Sequence, residues 1–482
     1  MFMKKQLFCA VVVSTLCLGM PQTYAFEKLN LPQMGEPADL VMSPKDEKAI
    51  GRGYMRQIRQ FLDLVTDTEI NTYIQQLGER LVATQPDVNA GDFTFFVVNN
   101  PEINAFALPG GYIGINSGLI TAANNEAELA SVIAHEAAHV LQRHIARLYA
   151  AQGNQGYKTA ATIIAAILLS QQSPEAGQAA LLTGLAASRQ SAINFTRTHE
   201  YEADRIGIQL LSDAGYNPRG MVDFFQVLRR RISLNTSEQM EFLRTHPLTN
   251  NRISEARNNS SRLANPVGLQ NTIDFQLHQM KLKVLQSNNQ KTLLKALADG
   301  HISNGEPVRL YGQILILLNS GNAKDAIPLA EKLTQLQPNS ATAQLISARV
   351  ALDTNNPARA ERIYGSLIDI YPNNYAAVES YIDMLIRQRR TDRAERVIQT
   401  YIRSAHTPAA NVYRKYANVL KLKGRTAASH EAMAEYFFLL DENKEAVGQL
   451  KQALQLATKG TNEESRIAAR IEQSRNRNIG TF

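Results

Sequence analysis

Two histidines four residues apart, with a glutamate between them, are the residues of this chain best suited to chemistry. They form the stretch His135-Glu136-Ala137-Ala138-His139. Residues four apart on a helix point the same way, so the two imidazoles can bind one zinc ion with Glu136 beside it. Zinc lowers the pKa of a bound water toward ~7, and a neighbouring carboxylate can take the proton as that water attacks a peptide carbonyl. The stretch therefore predicts a zinc protease with Glu136 as general base.

This geometry requires a helix and a third ligand. Asn125 is placed to cap such a helix, with Glu128 at its third position in a capping-box arrangement. A catalytic zinc takes three protein ligands and keeps one position open. Glu200 and Asp204 lie four apart downstream, so Glu200 is the candidate ligand and Asp204 the group that orients a ligating histidine. The alternative is that this pair lies on a solvated helix face.

Three segments in this order resemble a family of zinc metallopeptidases that includes the prenyl-protein peptidases and the bacterial heat-shock membrane peptidases. In chain order they are N-A-F-A-L-P-G-G from Asn104 to Gly111, the His135–His139 motif, and the segment E-Y-E-A-D from Glu200 to Asp204. The resemblance implies an edge strand against which an extended substrate pairs, with a sharp turn at the two glycines. An ordinary hairpin is the alternative for this segment alone. The predicted substrate strand comprises Ala105, Phe106, Ala107 and Leu108.

A His-Pro element follows the glutamate helix in the same family, and His246-Pro247 follows Glu200 at about that distance. The resemblance makes His246 a catalytic candidate in one of two roles. A neutral imidazole could occupy the fourth position on zinc as a gate, or it could stabilise the tetrahedral oxyanion. The remaining alternative is a histidine at a helix start, with Pro247 at the first helical position.

The N-terminus predicts secretion. Lys4-Lys5, an apolar run from Leu7 to Leu18 and a small residue at Ala25 form a secretory signal with cleavage after Ala25; a retained anchor helix is the alternative. The chain's two cysteines, Cys9 and Cys17, both lie in this segment. A mature chain without cysteine suits an oxidising compartment.

Two apolar segments lie between the predicted zinc helices, where membrane-bound relatives have spanning helices. They run from Thr159 to Ser170 and from Ala179 to Ala187, and both are shorter than the ~20 residues that cross a bilayer. We expect a helical hairpin near the active site in an otherwise soluble enzyme. Packing into the core is the favoured interpretation, and contact with a membrane surface or a hydrophobic substrate is the alternative.

The C-terminal part repeats. Alanines recur every 34 residues, which is the tetratricopeptide period, and each repeat is a pair of antiparallel helices. Pro338 is followed by Pro372 at the same interval, where proline ends the second helix. From Ala446 the period breaks, so we expect an irregular or capping end. Stacked repeats usually bind a protein segment. The alanines are Ala326, Ala360, Ala394 and Ala428, and units begin near Glu306, Ser340, Asn374 and Pro408.

The predicted fold class is mainly α, with an α+β zincin-like metallopeptidase domain containing a small sheet, followed by an α-solenoid of tetratricopeptide repeats. We expect a signal peptide at 1–25, the peptidase domain at 26–265, a helical linker at 266–305 and the repeats at 306–482, with a polar break at Asn258–Ser261. The formal net charge is +7. Lys/Arg runs interleaved with aromatic residues are absent, which argues against nucleic acid as a partner. A weakly basic surface is compatible with peripheral contact to an anionic membrane.

A secretory signal, such a peptidase and these repeats together resemble a family of periplasmic zinc peptidases that promote outer-membrane β-barrel assembly in Gram-negative bacteria. The resemblance implies one Zn²⁺ per chain and a dual role, assisting barrel proteins and degrading those that stall or misfold. It also implies unfolded or stalled outer-membrane β-barrel proteins as clients, and the barrel-assembly machinery as a partner of the repeats. The alternative is a non-proteolytic chaperone or scaffold in which the zinc site is structural or silent.

Overall fold

The computed structural model describes residues 42–151, 189–234, 241–263, 269–301, 305–405 and 407–479. The predicted signal segment and both apolar segments between Thr159 and Ala187 lie outside the described residues.

The N-terminal part consists of helices around one small sheet. In the described residues its elements are α1 (Pro44–Phe61), α2 (Thr68–Val82), β1 (Thr94–Val98), β2 (Ala105–Leu108), β3 (Tyr112–Asn116), α3 (Ser117–Ala122), α4 (Glu126–Leu141), α5 (His144–Ala151), α6 (Arg189–Asp213), α7 (Gly220–Leu234), α8 (Glu241–Thr245), α9 (Asn250–Arg262), α10 (Ile273–Gln286) and α11 (Gln290–Ala298).

The sheet has the strand order β1-β3-β2, so β2 is an edge strand that pairs antiparallel with β3 in the described part of the chain. Alternate residues of a strand face opposite sides. Ala105 and Ala107 join the core that contains α2 and α4, whereas Phe106 and Leu108 pack into a cluster with residues of α1. The turn after β2 uses Gly110 and Gly111, whose φ angles of 77° and 89° are ones that L side chains rarely adopt.

Helix α4 carries the His135–His139 motif and begins with the predicted cap. The Asn125 side chain accepts a hydrogen bond from the Glu128 backbone N–H at 3.0 Å. The Glu128 carboxylate accepts a hydrogen bond from the Asn124 backbone N–H at 2.7 Å, one residue earlier than in a standard capping box. Nearly every residue of α4 before His139 is buried, so neighbouring elements hold the helix on all sides.

The predicted polar break at Asn258–Ser261 is wrong, because α9 continues to Arg262. The side-chain hydroxyls of Ser260 and Ser261 donate to backbone carbonyls three residues earlier, at 3.1 Å and 2.8 Å. Serine can therefore remain within a helix when its hydroxyl bonds back to the preceding turn. Burial of Ile253 and Ala256 against the peptidase core outweighs the low helix propensity of the polar run.

The C-terminal part is an array of antiparallel helix pairs, which confirms the predicted fold class. Ala326, Ala360 and Ala394 are fully buried where the helices approach one another, and Pro338 and Pro372 each follow a second helix by two residues. Helical pairing continues beyond the point where the period breaks. The described helices are α12 (Glu306–Asn319), α13 (Ala323–Leu336), α14 (Ala341–Asp353), α15 (Pro357–Ile370), α16 (Tyr375–Arg387), α17 (Thr391–Ser404), α18 (Ala410–Leu422), α19 (Thr426–Leu439), α20 (Asn443–Leu456) and α21 (Asn462–Ile479).

The repeats contact the peptidase directly. The Glu379 carboxylate of α16 accepts a hydrogen bond from Thr68 at the start of α2, and Arg56 of α1 pairs with Asp441 between α19 and α20. In α10, the buried Lys281 ammonium lies 2.9 Å from carboxylate oxygens of both Asp67 and Glu69. Part of the repeat surface is therefore occupied by the chain's own peptidase helices.

Among the described residues, no helix combines the length and the apolar character needed to cross a bilayer.

Candidate metal centre

Two long helices bring the motif residues together. Helix α4 supplies His135 and His139, and α6 packs along it and supplies Glu200. The helices can approach closely at Gly207 of α6, where a methyl group would lie 3.1 Å from the His135 backbone N. His246 reaches the same place from the segment after α8. One side-chain nitrogen or oxygen from each of these four residues lies within 4.8 Å of the others.

The distances between these atoms match those expected around one metal ion. His135 Nε2 lies 3.1 Å from His139 Nε2 and 3.4 Å from Glu200 Oε2. His139 Nε2 lies 3.4 Å from Glu200 Oε1. His246 Nδ1 lies 3.3 Å from His135 Nε2 and 3.0 Å from Glu200 Oε1. Tetrahedral zinc with bonds of 2.0 to 2.1 Å places its ligand atoms ~3.3 Å apart. The donor set and its spacing therefore fit zinc.

The Glu136 carboxylate lies beside the same cluster. Its Oε1 atom is buried and makes no hydrogen bond within the described part of the chain, although His246 Nε2 lies 3.4 Å away. A buried carboxylate oxygen left without a hydrogen bond is costly unless a further molecule or ion completes the site. A water molecule beside the metal would supply that donor, as a general base requires.

A second layer of charged groups holds the ligands. Asp204 Oδ1 lies 3.0 Å from His135 Nδ1, so the atoms meet as expected for a carboxylate that orients this imidazole. Arg252 of α9 forms a bidentate contact with Asp204, with both N···O distances at 2.7 Å. Its third nitrogen lies 2.8 Å from Glu200 Oε2. One buried guanidinium thus connects a predicted ligand with the carboxylate that orients another.

The directions of the pKa shifts indicate that the cluster favours a positive charge. Burial disfavours a charged His135, but hydrogen bonds to Asp204 and Glu200 outweigh it and raise the pKa of His135 to about 10. Burial opposes ionisation of Glu200 too, and the charges of His246 and Arg252 nevertheless hold its pKa well below the usual range. By contrast, burial lowers the pKa of His139 well below its ordinary value. The carboxylates that favour a protonated His135 would equally favour a metal ion.

Replacing Arg252 by Met is expected to destabilise the metal-free protein by ~3 to 5 kcal/mol, because it removes the guanidinium that binds both buried carboxylates, Glu200 and Asp204. The measurement is chemical denaturation after chelator treatment. Arg257→Met is the matched control, since Arg257 is exposed on the same helix and should shift stability by less than ~0.5 kcal/mol. Equal stabilities for the two variants would contradict this account of Arg252.

His246 does not begin a helix. Its backbone N–H donates to the Phe242 carbonyl at 2.8 Å, at the end of α8, and the next helix begins at Asn250 with Thr249 as its cap. The helix-start interpretation is therefore wrong. The His246 ring stacks on the Phe242 ring with centroids 4.9 Å apart, which directs the imidazole toward the cluster.

His139 has a further contact on the side away from the cluster. Its Nδ1 lies 2.8 Å from Nδ1 of His144, the first residue of α5. His144 Nε2 in turn lies 3.2 Å from Glu202 Oε2 on α6. The hydrogen bond from His144 outweighs burial and lowers the pKa of Glu202 to about 2.

Comparison with known proteins identifies the family. The model of peptidase family M48 matches residues 69–260, and that of the tetratricopeptide repeat matches residues 317–380. A β-barrel assembly-enhancing protease of Yersinia pestis is 32% identical over 454 residues, covering 93% of this chain and 92% of that protein. This chain belongs to the β-barrel assembly-enhancing protease family. The Escherichia coli (strain K12) protein of that name is 30% identical over 477 residues, covering 98% of this chain and 97% of its own length.

Family membership confirms that the chain is a metalloprotease. A mitochondrial metalloendopeptidase OMA1 of Arabidopsis thaliana is 33% identical over 151 residues, covering 31% of this chain and 28% of that protein. In the present chain, all four clustered residues lie within the segment that matches the M48 model.

Sequence reasoning did not single out Arg252 or His144. Arg252 could have been noticed because a cation at the third position of a capped helix, in T-N-N-R, follows His246 closely. His144 could have been noticed because the sequence has only nine histidines and it lies five residues after His139. Neither position reveals its partners on α6 without the structure, because those partners lie at least 48 residues away in the sequence from Arg252 and from His144.

Proposed function

We propose that this metalloprotease is a periplasmic zinc endopeptidase that acts on outer-membrane β-barrel proteins, assisting their assembly and degrading those that stall. The observation that carries the proposal is the convergence of four potential metal ligands within 4.8 Å of one another, with the buried Glu136 Oε1 atom beside them. The names of the relatives support the choice of clients. The signal peptide cleaved after Ala25 and the boundaries 26–265, 266–305 and 306–482 belong to the same proposal.

In this proposal His135, His139 and Glu200 hold the zinc, and Asp204 orients His135 through its 3.0 Å contact. Zinc, when bound, would act as a Lewis acid and lower the pKa of the attacking water. Glu136 takes the proton of that water and later returns it to the leaving amine. His246 is either the gate of the site or a donor to the oxyanion.

The edge strand β2 provides a place for the substrate. Its residues Ala105 to Leu108 pair with β3 on one side, and α4 packs against the same strand. A peptide added antiparallel or parallel to the other side of β2 would gain backbone hydrogen bonds independent of its sequence. Such recognition suits a protease for unfolded barrel proteins, because their segments are destined to become strands.

Zinc content tests the ligand assignment. Full-length wild type is expected to bind one equivalent of zinc, whereas His135→Ala/His139→Ala should retain none after dialysis because two of three ligands are gone. The measurement is elemental analysis, with cleavage of unfolded casein followed in parallel. His430→Ala is the matched control, because His430 pairs with Gln449 in the repeats. One full equivalent of tightly bound zinc in the double variant would contradict the assignment.

The repeats are the proposed contact for clients and for the assembly machinery. Leu336 and Ile370 are 42% and 63% exposed and end the second helices of consecutive units, 34 residues apart. They lie in equivalent positions, so neighbouring repeats present them on the same edge. Removing the whole repeat domain would be a poor test, because it would delete α12 and with it a hydrogen bond to Glu69. Glu69 and Asp67 both pair with the buried Lys281, so the peptidase side of the contact would change as well.

A photocrosslinker in place of Leu336 or Ile370 is expected to capture an unfolded outer-membrane β-barrel protein, because exposed apolar side chains at an edge bind unfolded chains. The measurement is the crosslinked band in full-length Glu136→Gln protein, which prevents degradation of the client. Ala468, exposed on α21, is the control position. Equal yields at all three positions would argue that recognition resides in the peptidase domain.

The alternative function, a scaffold with a silent zinc site, predicts zinc in both wild type and Glu136→Gln and cleavage by neither. Membership of a protease family and the position of the Glu136 carboxylate beside the clustered ligands favour the enzyme.

A further inference from the structure

The two predicted ligating histidines of α4 each contact a different group through the Nδ1 atom, on the side away from the cluster. His135 Nδ1 faces the Asp204 carboxylate at 3.0 Å, whereas His139 Nδ1 faces the Nδ1 atom of His144 at 2.8 Å. The His139 and His144 rings lie 78° apart with centroids separated by 4.8 Å. This near-perpendicular arrangement is compatible with a nitrogen-to-nitrogen hydrogen bond at 2.8 Å.

The proton positions follow from this geometry. When His139 Nε2 binds a metal, its neutral ring carries the proton on Nδ1, so His139 donates. His144 must then accept on Nδ1 and carry its own proton on Nε2. That nitrogen lies 3.2 Å from Glu202 Oε2, which can only accept. The Arg147 guanidinium donates to the same oxygen at 2.9 Å. Every donor in the chain from His139 to Glu202 therefore meets an acceptor.

His144 is itself fixed in place. It is 4% exposed, and the His199 ring lies parallel to it, with an interplanar angle of 4° and centroids 4.0 Å apart. The turn before it includes Arg143, which lies two residues after the end of α4 and has a φ of 51°. The Arg143 side chain donates to Glu47 of α1 at 2.6 Å. A rare backbone conformation and a part-buried ion pair thus accompany the turn that brings His144 back over the last turn of the motif helix.

We propose that His144 is a positioning residue for metal binding: its Nδ1 atom accepts the Nδ1 proton of His139 and so fixes the tautomer and ring orientation that turn His139 Nε2 toward the metal. The role rests on the proposed zinc site and extends it. Glu202, the middle acid of E-Y-E-A-D, then orients His144, and the motif contributes on both sides of the cluster. A neutral imidazole also leaves His139 a weaker donor to zinc than a carboxylate partner would.

Three substitutions in the full-length protein separate positioning from packing. His144→Asn places an amide oxygen near the position of Nδ1 and keeps an acceptor for His139. His144→Gln places its amide near Nε2, and His144→Ala removes both. Zinc affinity is measured by competition with a chelator, and the ligand field by the visible absorption of the cobalt-substituted protein. Loss of such a partner weakens metal affinity by ~10- to 100-fold.

We expect that weakening, with a shifted cobalt spectrum, for His144→Ala and His144→Gln, and restoration to within a few-fold of wild type for His144→Asn. His430→Ala should behave as wild type. Thermal unfolding of the metal-free proteins shows whether each variant folds, and a purely structural role would lower all three melting temperatures without separating Asn from Gln. Wild-type zinc affinity in His144→Ala, or equal affinities for His144→Asn and His144→Gln, would overturn the inference alone. Failure of wild type to bind zinc would overturn the proposed function as well.

Discussion

Glu136→Gln is expected to lower the rate of peptide hydrolysis by ~100- to 10,000-fold while leaving one equivalent of zinc bound. General-base catalysis contributes a factor of that size, and the amide of glutamine cannot take a proton from water. Metal binding should survive because Glu136 is not among the clustered ligand atoms. The measurement is the turnover of an unfolded substrate under saturating conditions, with zinc content determined on the same sample.

A matched control is Glu128→Gln on the same helix. Glu128 is buried and bonded to Asn124 at the helix start, so its loss tests for damage to α4 without touching the site. It should cost stability, ~1 kcal/mol as for a weakened cap, and leave turnover near wild type. If Glu136→Gln retained more than a tenth of wild-type turnover, another group would have to be the base.

The sequence predicted the motif helix and the repeats because their signals are local. A cap at Asn125 and an apolar face determine α4, and the 34-residue spacing of small residues reports helix pairs that contact only their neighbours. The polar run Asn258–Ser261 was mistaken for a break, because its helix depends on burial of one face and on serine hydroxyls bonding backwards. Propensity alone does not report either effect.

The site could be predicted only in part, for a related reason. His135, His139, Glu200 and Asp204 follow from fixed spacing on two helices. Arg252 depends on where a third helix packs, and its 2.7 Å contacts with Asp204 bridge 48 residues of sequence. The contact of the repeats with α2 is also tertiary, so the 34-residue spacing does not report that the peptidase covers part of the repeat surface.

His246→Ala is expected to raise the rate of cleavage, because the His246 imidazole lies where the attacking water would have to bind. Its Nδ1 lies 3.0 Å from Glu200 Oε1 and 3.3 Å from His135 Nε2. If His135, His139 and Glu200 held the zinc, the His246 imidazole would be close enough to take the position that the attacking water requires. A protein that assists the assembly of its clients and also degrades them must keep its protease activity low at rest.

The size of the increase in cleavage rate depends on the fraction of wild-type molecules in which His246 has moved away from the metal site. A minor open state populated at ~0.1 to 10% would give a ~10- to 1,000-fold faster enzyme when the imidazole is removed. If His246 instead donates to the oxyanion, its loss would slow turnover by ~100-fold or more. The two roles thus predict opposite signs for one substitution, assayed on an unfolded substrate at equal zinc content. His246→Phe is the informative companion, because an aromatic ring preserves the stack on Phe242 but offers no nitrogen to the metal. Faster cleavage by both variants supports the gate, whereas slower cleavage by both at unchanged zinc content assigns His246 to the transition state.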